Sequence, residues 1–279
     1  MDRAVSRVLS RRRLAGLLIL AGLSAVFVYG AMLGGTALYN GAEVTGWVLA
    51  GLCVFLLAFN IRKRLAAFPF GRGHYWLQAH VYLGLFSGVV FLAHTDWRMP
   101  AGVMDWVLWL VFAGVFVTGV IGIVLSRVVP SLLNSRGERV IFERIPAFRM
   151  QLAREVEGLV LRAVQEAASS TIAELYAKRL LPFLSGTRNF WAHIFSATAH
   201  RQALQNEIAA VRRYLPPEGN ALLDEIQDRV LAKDDLDFQY TWQSLVKGWL
   251  LLHLPLSCAL VPLVAVHIVV NYAFSLGGL

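Results

Sequence analysis

Five stretches of this chain, at about residues 14–36, 44–61, 74–95, 101–126 and 248–273, stay apolar over the length a helix needs to cross a bilayer. A hydrocarbon layer of about 30 Å takes roughly 20 helical residues. Composition points the same way: 57% of the 279 residues are hydrophobic and 16% charged, where soluble domains carry about a quarter charged residues. That balance argues against a soluble protein. With 23 Gly, 9 Pro and 2 Cys, disorder, collagen and a disulfide scaffold are excluded as well. Cys53 and Cys258 both lie inside apolar runs and are expected to be small core residues. The expected fold is all-α, an integral membrane helical bundle of about five spanning helices. Arg11, Arg12 and Arg13 before the first run faintly suggest a twin-arginine signal. The length of that run, and the second run close behind it, favour a retained helix.

Basic residues set a direction. Arg3, Arg7, Arg11, Arg12 and Arg13 precede the first helix, and Arg62, Lys63, Arg64 and Arg72 lie between the second and third. The opposite short loops carry only Arg98. Lys/Arg-rich loops stay in the cytoplasm, so the N-terminus is expected inside and the C-terminus outside. A bacterial inner membrane is the expected location. The net charge of +8 then reflects sidedness, and no nucleic-acid partner is expected. Three segments result: four helices within 1–126, a polar cytoplasmic insertion over 127–247, and a last helix within 248–279.

The insertion reads as mostly helical. Phe148, Leu152, Val156, Leu159, Val160 and Val164 recur at helical spacing, as do Trp191, Ile194 and Phe195, and then Leu204, Ile208 and Val211. Pro182, Gly186, Pro216, Pro217 and Gly219 interrupt these helices, and a short extended piece is expected at 139–145. No phosphate-binding glycine loop, CxxC, nicotinamide or flavin fingerprint is present. The insertion is therefore expected to bind a partner or organise the helices.

Four of the seven histidines fall in apolar surroundings: His80 and His94 on the third spanning helix, His253 and His267 on the fifth. Each pair is fourteen residues apart. At about 100° per residue this is about 40° short of four turns, so both members face nearly the same way, about 21 Å apart along the axis. The third and fifth helices run in one direction, because one helix returns between them. His80 is then expected to face His253 on the inner side, and His94 to face His267 on the outer side. Opposed imidazoles can take both axial positions of a haem iron, with the second ring nitrogen hydrogen-bonded to a carbonyl or hydroxyl. A lone intramembrane histidine is often a core residue or a proton relay. Two equal pairs on parallel helices point instead to two b-type haems.

With these residues in place, the chain resembles the dihaem membrane cytochromes b. The repeated His-x13-His looks like the helical core of cytochrome b in quinol–cytochrome c oxidoreductases. It also resembles the transmembrane domain of the ferric reductase and NADPH oxidase superfamily, over roughly 44–126 and 248–273. The resemblance implies electron transfer between two b haems. The Pro-Glu-Trp-Tyr quinol motif is absent, and no flavin or nicotinamide domain follows the last helix. No catalytic residue is assigned. The expected role is the membrane subunit of a respiratory or quinone-linked oxidoreductase, exchanging electrons with redox protein subunits or quinone. The alternative is a haem-free transporter or scaffold whose histidines relay protons.

Other residues have narrower expectations. Arg72, Tyr75, Trp76 and Lys247 on the inner side, and Arg98, Trp97, Asn271 and Tyr272 on the outer side, are candidates to meet haem propionates. Trp, Tyr, Lys and Arg are also ordinary interfacial anchors. Gly84, Gly88, Gly114, Gly119 and Gly122 are expected to serve helix packing rather than macrocycle approach. Pro255 and Pro262 are candidates to kink the last helix. Asp105 is read as an interfacial carboxylate, with proton acceptance at a quinol site as its functional alternative. His74 lies about 240° around its helix from His80, off the ligand face. His193 and His200 are expected at a surface or partner contact.

Overall fold

The computed structural model describes residues 2–34, 41–64, 73–166, 170–187, 190–195 and 197–276. Among the described residues the regular structure is helical, with no strand. In chain order the elements begin with α1 (Asp2–Gly34), α2 (Gly41–Arg64), α3 (Gly73–His94) and α4 (Val103–Asn134). A 3₁₀ turn (Phe142–Arg144) leads into α5 (Ile145–Glu166), followed by α6 (Ser170–Leu175) and a π-helical turn (Tyr176–Leu180). Then come α7 (Leu181–Leu184), α8 (Phe190–Phe195), α9 (Ala197–Arg212) and α10 (Pro217–Leu276).

Helices α1, α2, α3, α4 and α10 are each long and apolar enough to cross a membrane. Their apolar side chains largely point outward: Leu18 and Ile19 are each 64% exposed and Val26 71%. So much aliphatic surface is unfavourable in water by about 25 cal/mol per Å², and lipid removes that cost. The molecule is an all-α integral membrane protein.

Residues 1–124 and 249–279 form one compact unit and residues 125–248 another. In the first unit, α2 runs antiparallel to α3, its Ala42 end beside His94 and its Phe59 beside His80. Antiparallel to α3 in turn is α4, with Gly88 against Phe116 and Phe91 stacked on Phe112. The last part of α10 returns antiparallel to α4, pairing Gly122 with Trp249, Thr118 with His253 and Asp105 with His267. Two antiparallel steps make α3 and this part of α10 parallel. Cys53, Phe112 and Leu260 are buried together at the centre, whereas Cys258 is exposed. Glycines accommodate neighbouring rings: a Cβ at Gly88 would lie 2.5 Å from the Phe116 ring, and one at Gly122 would overlap the Trp249 indole. A Cβ at Gly114 or Gly119 would make ordinary contact with Leu256 or His253, while at Gly84 it would meet nothing within 4 Å. Helix α10 continues through Pro255 and Pro262.

In the second unit, α5 buries Val156, Leu159, Val160 and Ala163 against Ile172, Leu204, Ile208 and Leu223. The inward stripe ends there, and Phe148 and Val164, expected at its two ends, are exposed. The pattern on α8 is reversed. Trp191 and Phe195 are exposed and stack on one another, while His193 is 1% exposed. The expectation of a surface His193 is therefore corrected: its Nε2 lies 3.7 Å from the buried Asp234 carboxylate, which gives the imidazole a polar environment inside. The side chain of His200 lies outside the described residues.

The extended piece expected at 139–145 is also shorter. Gln239 accepts from the Val140 amide and donates to the Glu138 carbonyl, both at 2.8 Å, and Gln243 donates to the Val140 carbonyl at 3.0 Å. These side-chain amides satisfy the backbone as a strand partner would, and the chain turns helical at Phe142. Pro217 opens α10, where a missing N–H costs nothing, and Pro182 directly follows the π-helical turn without breaking the helical run.

A buried ionic network accompanies this core. Lys233, Asp234 and Asp237 are fully buried on α10. The Lys233 ammonium donates to the Phe183 and Gly186 carbonyls at 2.6 and 2.9 Å and to Asp237, over the Phe183 ring. Burial pulls its pKa down, and Asp237 pulls it back up. Asp237 also meets Arg149 at 3.2 Å, and Asp234 meets Arg136 at 3.2 Å. Arg201 pairs with Asp235.

Candidate functional site

The facing histidine rings lie where α3 ends. The His94 and His267 centroids are 6.5 Å apart, with ring planes at 84°. A metal bound by one nitrogen of each ring would place the centroids a little over 6 Å apart, from about 2 Å per metal–nitrogen bond and about 1.2 Å from nitrogen to ring centre. The observed spacing is that of two rings that would hold one metal between them.

Which nitrogen is available follows from the acceptors around each ring. His94 Nδ1 lies 3.0 Å from the Ala42 carbonyl and 3.3 Å from Thr45 Oγ1. A carbonyl only accepts, so Nδ1 carries the proton and Nε2 keeps its lone pair. Thr45 donates its own hydroxyl proton to the Gly41 carbonyl at 2.9 Å. At His267, the Asn271 amide nitrogen is 3.1 Å from Nε2 and 2.9 Å from the His267 carbonyl. Donation from Asn271 leaves Nε2 unprotonated and turns the Nδ1 proton toward Asp105, whose Oδ1 is 3.6 Å away. Metal ligation would displace the Asn271 contact. Asp105, half-exposed, thus belongs to the immediate surroundings of this histidine.

Both rings line a cavity of about 570 Å³, within the range of about 300–1,000 Å³ usual for cofactor sites. Apolar side chains such as Phe91, Leu108, Phe112 and Leu260 line its depth, and Glu43, Asn271 and Tyr272 add polar groups. Tyr272 donates to Glu43 at 2.6 Å and accepts from Trp47 at 3.2 Å, tying α10 to α2. Arg98 also lines the cavity, and forms an exposed ion pair with Asp96 at 3.0 Å. Asp96 and Trp97 adopt φ of 49° and 57°, a left-handed turn that is costly for residues other than glycine. Trp97 itself is 78% exposed.

The second histidine level has different neighbours. His80 packs its ring 4.8 Å from Phe59 of α2. His253 Nδ1 lies 2.8 Å from Thr118 Oγ1, which donates to the Gly114 carbonyl at 2.7 Å. Trp249 stacks on the His253 ring, 5.5 Å between centroids and 16° between planes. The indole N–H is anchored on the Thr118 carbonyl at 2.7 Å.

Of the other inner-side candidates, Arg72 lies outside the described residues. Tyr75 is exposed and Trp76 stacks on Phe55. Lys247 is paired with Glu143 at 2.6 Å, above the Phe142 ring. His74 is exposed, 3.9 Å from Tyr75.

Sequence reasoning missed Thr45, Thr118, Gly46 and Trp249. Two threonines inside otherwise apolar helices were the available signal, since a buried hydroxyl needs a partner. Gly46 has a steric role: a Cβ there would lie 2.9 Å from His94 Cε1. Gly46→Val should push the ring off the Ala42 carbonyl. The ¹⁵N-histidine magnetic resonance signal of His94 checks this, and a signal equal to that of the unaltered chain would contradict it.

Fold and surface thus define a helical membrane protein with a histidine-walled cavity between its spanning helices. No protein-family model, curated protein or solved structure matches the chain.

Proposed function

We propose that this protein carries electrons across a membrane through two bis-histidine b-type haems, as the membrane subunit of a respiratory or quinone-linked oxidoreductase. The observation that carries this reading is the His94–His267 pair: ring centroids 6.5 Å apart, with His94 Nε2 left unprotonated, on the wall of a cavity of cofactor size. His80 and His253 would hold the second haem. Both pairs share the same fourteen-residue spacing, and their helices run parallel, so the register that opposes one pair supports opposing the other.

Bound haem would supply reversible one-electron chemistry at its iron. The chain's own residues bind and orient. Ala42, Thr45 and Thr118 hold the Nδ1 protons of His94 and His253 and keep the ring planes fixed. Neutral imidazoles bring no net charge into the lipid. Phe91, Phe112 and Leu260 give the cavity an apolar lining. Arg98, at the cavity wall, is the candidate to meet a propionate, and Arg72 is the corresponding candidate at the other level.

The basic loops support a cytoplasmic N-terminus and insertion with the C-terminus outside, and a bacterial inner membrane is the proposed location. Without a nucleotide or flavin motif in the sequence, electrons would arrive from quinol or a redox protein subunit and leave to another. A reduced-minus-oxidised spectrum of the purified chain, with haem quantified, tests the reading. Two haems per chain with low-spin b-type bands are expected. A folded chain that stays haem-free when haem is supplied would overturn it and favour proton relay by the histidines.

A further inference from the structure

Among the described residues of the membrane unit, the buried polar side chains other than histidine are Thr45, Ser87 and Thr118. Two of the three touch a histidine. Thr118 is the more constrained, being 6% exposed, and its only hydroxyl proton points back along α4 to the Gly114 and Val115 carbonyls at 2.7 and 3.0 Å. A hydroxyl has one proton and two lone pairs. With the proton spent on its own helix, Thr118 Oγ1 has only lone pairs for His253 Nδ1 at 2.8 Å. In that arrangement the imidazole is the donor and carries its proton on Nδ1.

Two further contacts make this arrangement rigid. The Trp249 indole donates to the Thr118 carbonyl at 2.7 Å and lies flat against the His253 ring, one helical turn away on α10. Gly122 makes room for that indole, since a Cβ there would overlap it. One residue, Thr118, therefore grips His253 through its side chain and the residue stacked on His253 through its backbone.

We propose that Thr118 is a positioning residue for haem ligation: it fixes His253 as the Nδ1–H tautomer, presents Nε2 as the ligand and raises the donor strength of the ring. This rests on the haem reading for its consequence but not for its geometry. An acceptor on the distal N–H makes a ligating imidazole more basic, which favours ferric over ferrous iron. Loss of the acceptor should raise the reduction potential of one haem and leave the other alone.

The test is a redox titration of the full-length protein in detergent, comparing the unaltered chain with Thr118→Val and Thr118→Ser. The valine variant keeps shape and removes the acceptor, whereas serine keeps the hydroxyl. Expected is an upward shift of one of two potentials, with a changed low-spin electron paramagnetic resonance signal from that haem alone, both restored by serine. A merely structural threonine would move neither. Two haems with unchanged potentials and spectra in the valine variant would overturn the proposal while leaving the haem reading intact.

Should the valine variant not accumulate, or the unaltered chain hold no haem, ¹⁵N-histidine magnetic resonance of the unaltered diamagnetic protein decides. The His253 signal, assigned by its absence in His253→Gln, should show its proton on Nδ1. A proton on Nε2 would overturn the proposal.

Discussion

Replacing His94 with alanine is expected to cut the haem bound per chain from two to one. On the proposed reading the substitution would remove one of the two nitrogens that hold this haem, leaving the Ala42 carbonyl and Thr45 hydroxyl without the ring. His267 alone offers a single ligand beside an open cavity, and a singly held haem is lost on detergent washing. The other level lies about 21 Å along the helices and has its own anchors at Phe59, Thr118 and Trp249, so its haem should stay. His267→Ala should give the same result, and the pair together should be no worse than either alone. Replacing His74, which is exposed and turned to Tyr75, should leave both haems in place. Pyridine haemochrome quantification against protein concentration measures all four. Two haems retained in His94→Ala would break the pairing of His94 with His267.

The second large effect lies in the other unit. Lys233→Ala should raise amide exchange across residues 125–248 by on the order of a hundred- to a thousandfold, corresponding to about 3–5 kcal/mol for breaking a buried ion pair by removing one partner. Lys233 is fully buried and is held by two carbonyls and Asp237. Without it the Phe183 and Gly186 carbonyls lose a donor, and the buried Asp237 keeps Arg149 at 3.2 Å but loses its nearer cation. Replacing the pair together, as Lys233→Met with Asp237→Leu, should recover only part of the loss, because it removes the desolvation cost of the pair but takes Asp237 away from Arg149. Hydrogen exchange followed by mass spectrometry reads both. Unchanged exchange in the single variant would show that the network is not a keystone of this unit.

The legibility of these features in the sequence differed by physical cause. Spanning helices are visible because lipid demands length and apolarity, both local properties. Their ends are less so. Helix α4 was expected to stop near residue 126 and runs on to Asn134 with Leu125, Val129 and Leu133 buried. The last spanning segment was expected from residue 248, yet α10 begins at Pro217. Nothing between Asn220 and Lys247 breaks a helix, and its polar residues change its surroundings rather than its backbone.

The nearness of His94 and His267 was legible because residue spacing fixes face and depth on a helix. What holds the rings was not. Thr118 reaches His253 only because α4 and α10 pack antiparallel at the register set by Gly122 and Trp249. His193 misled for the opposite reason: a polar residue between Trp191 and Phe195 suggests an exposed face, but the buried Asp234 draws the imidazole inward and leaves the aromatics outside. Long-range pairing of this kind has no local signature.

On the proposed reading, two iron atoms would lie between two pairs of imidazoles. Anomalous X-ray diffraction from crystals of the purified, haem-supplied protein, collected on both sides of the iron absorption edge, would locate them. Two iron peaks are predicted, one between His94 and His267 and one between His80 and His253, separated by about 21 Å along the helix axis. Iron bound elsewhere, or no iron peak between His94 and His267 in a well-ordered map, would contradict it.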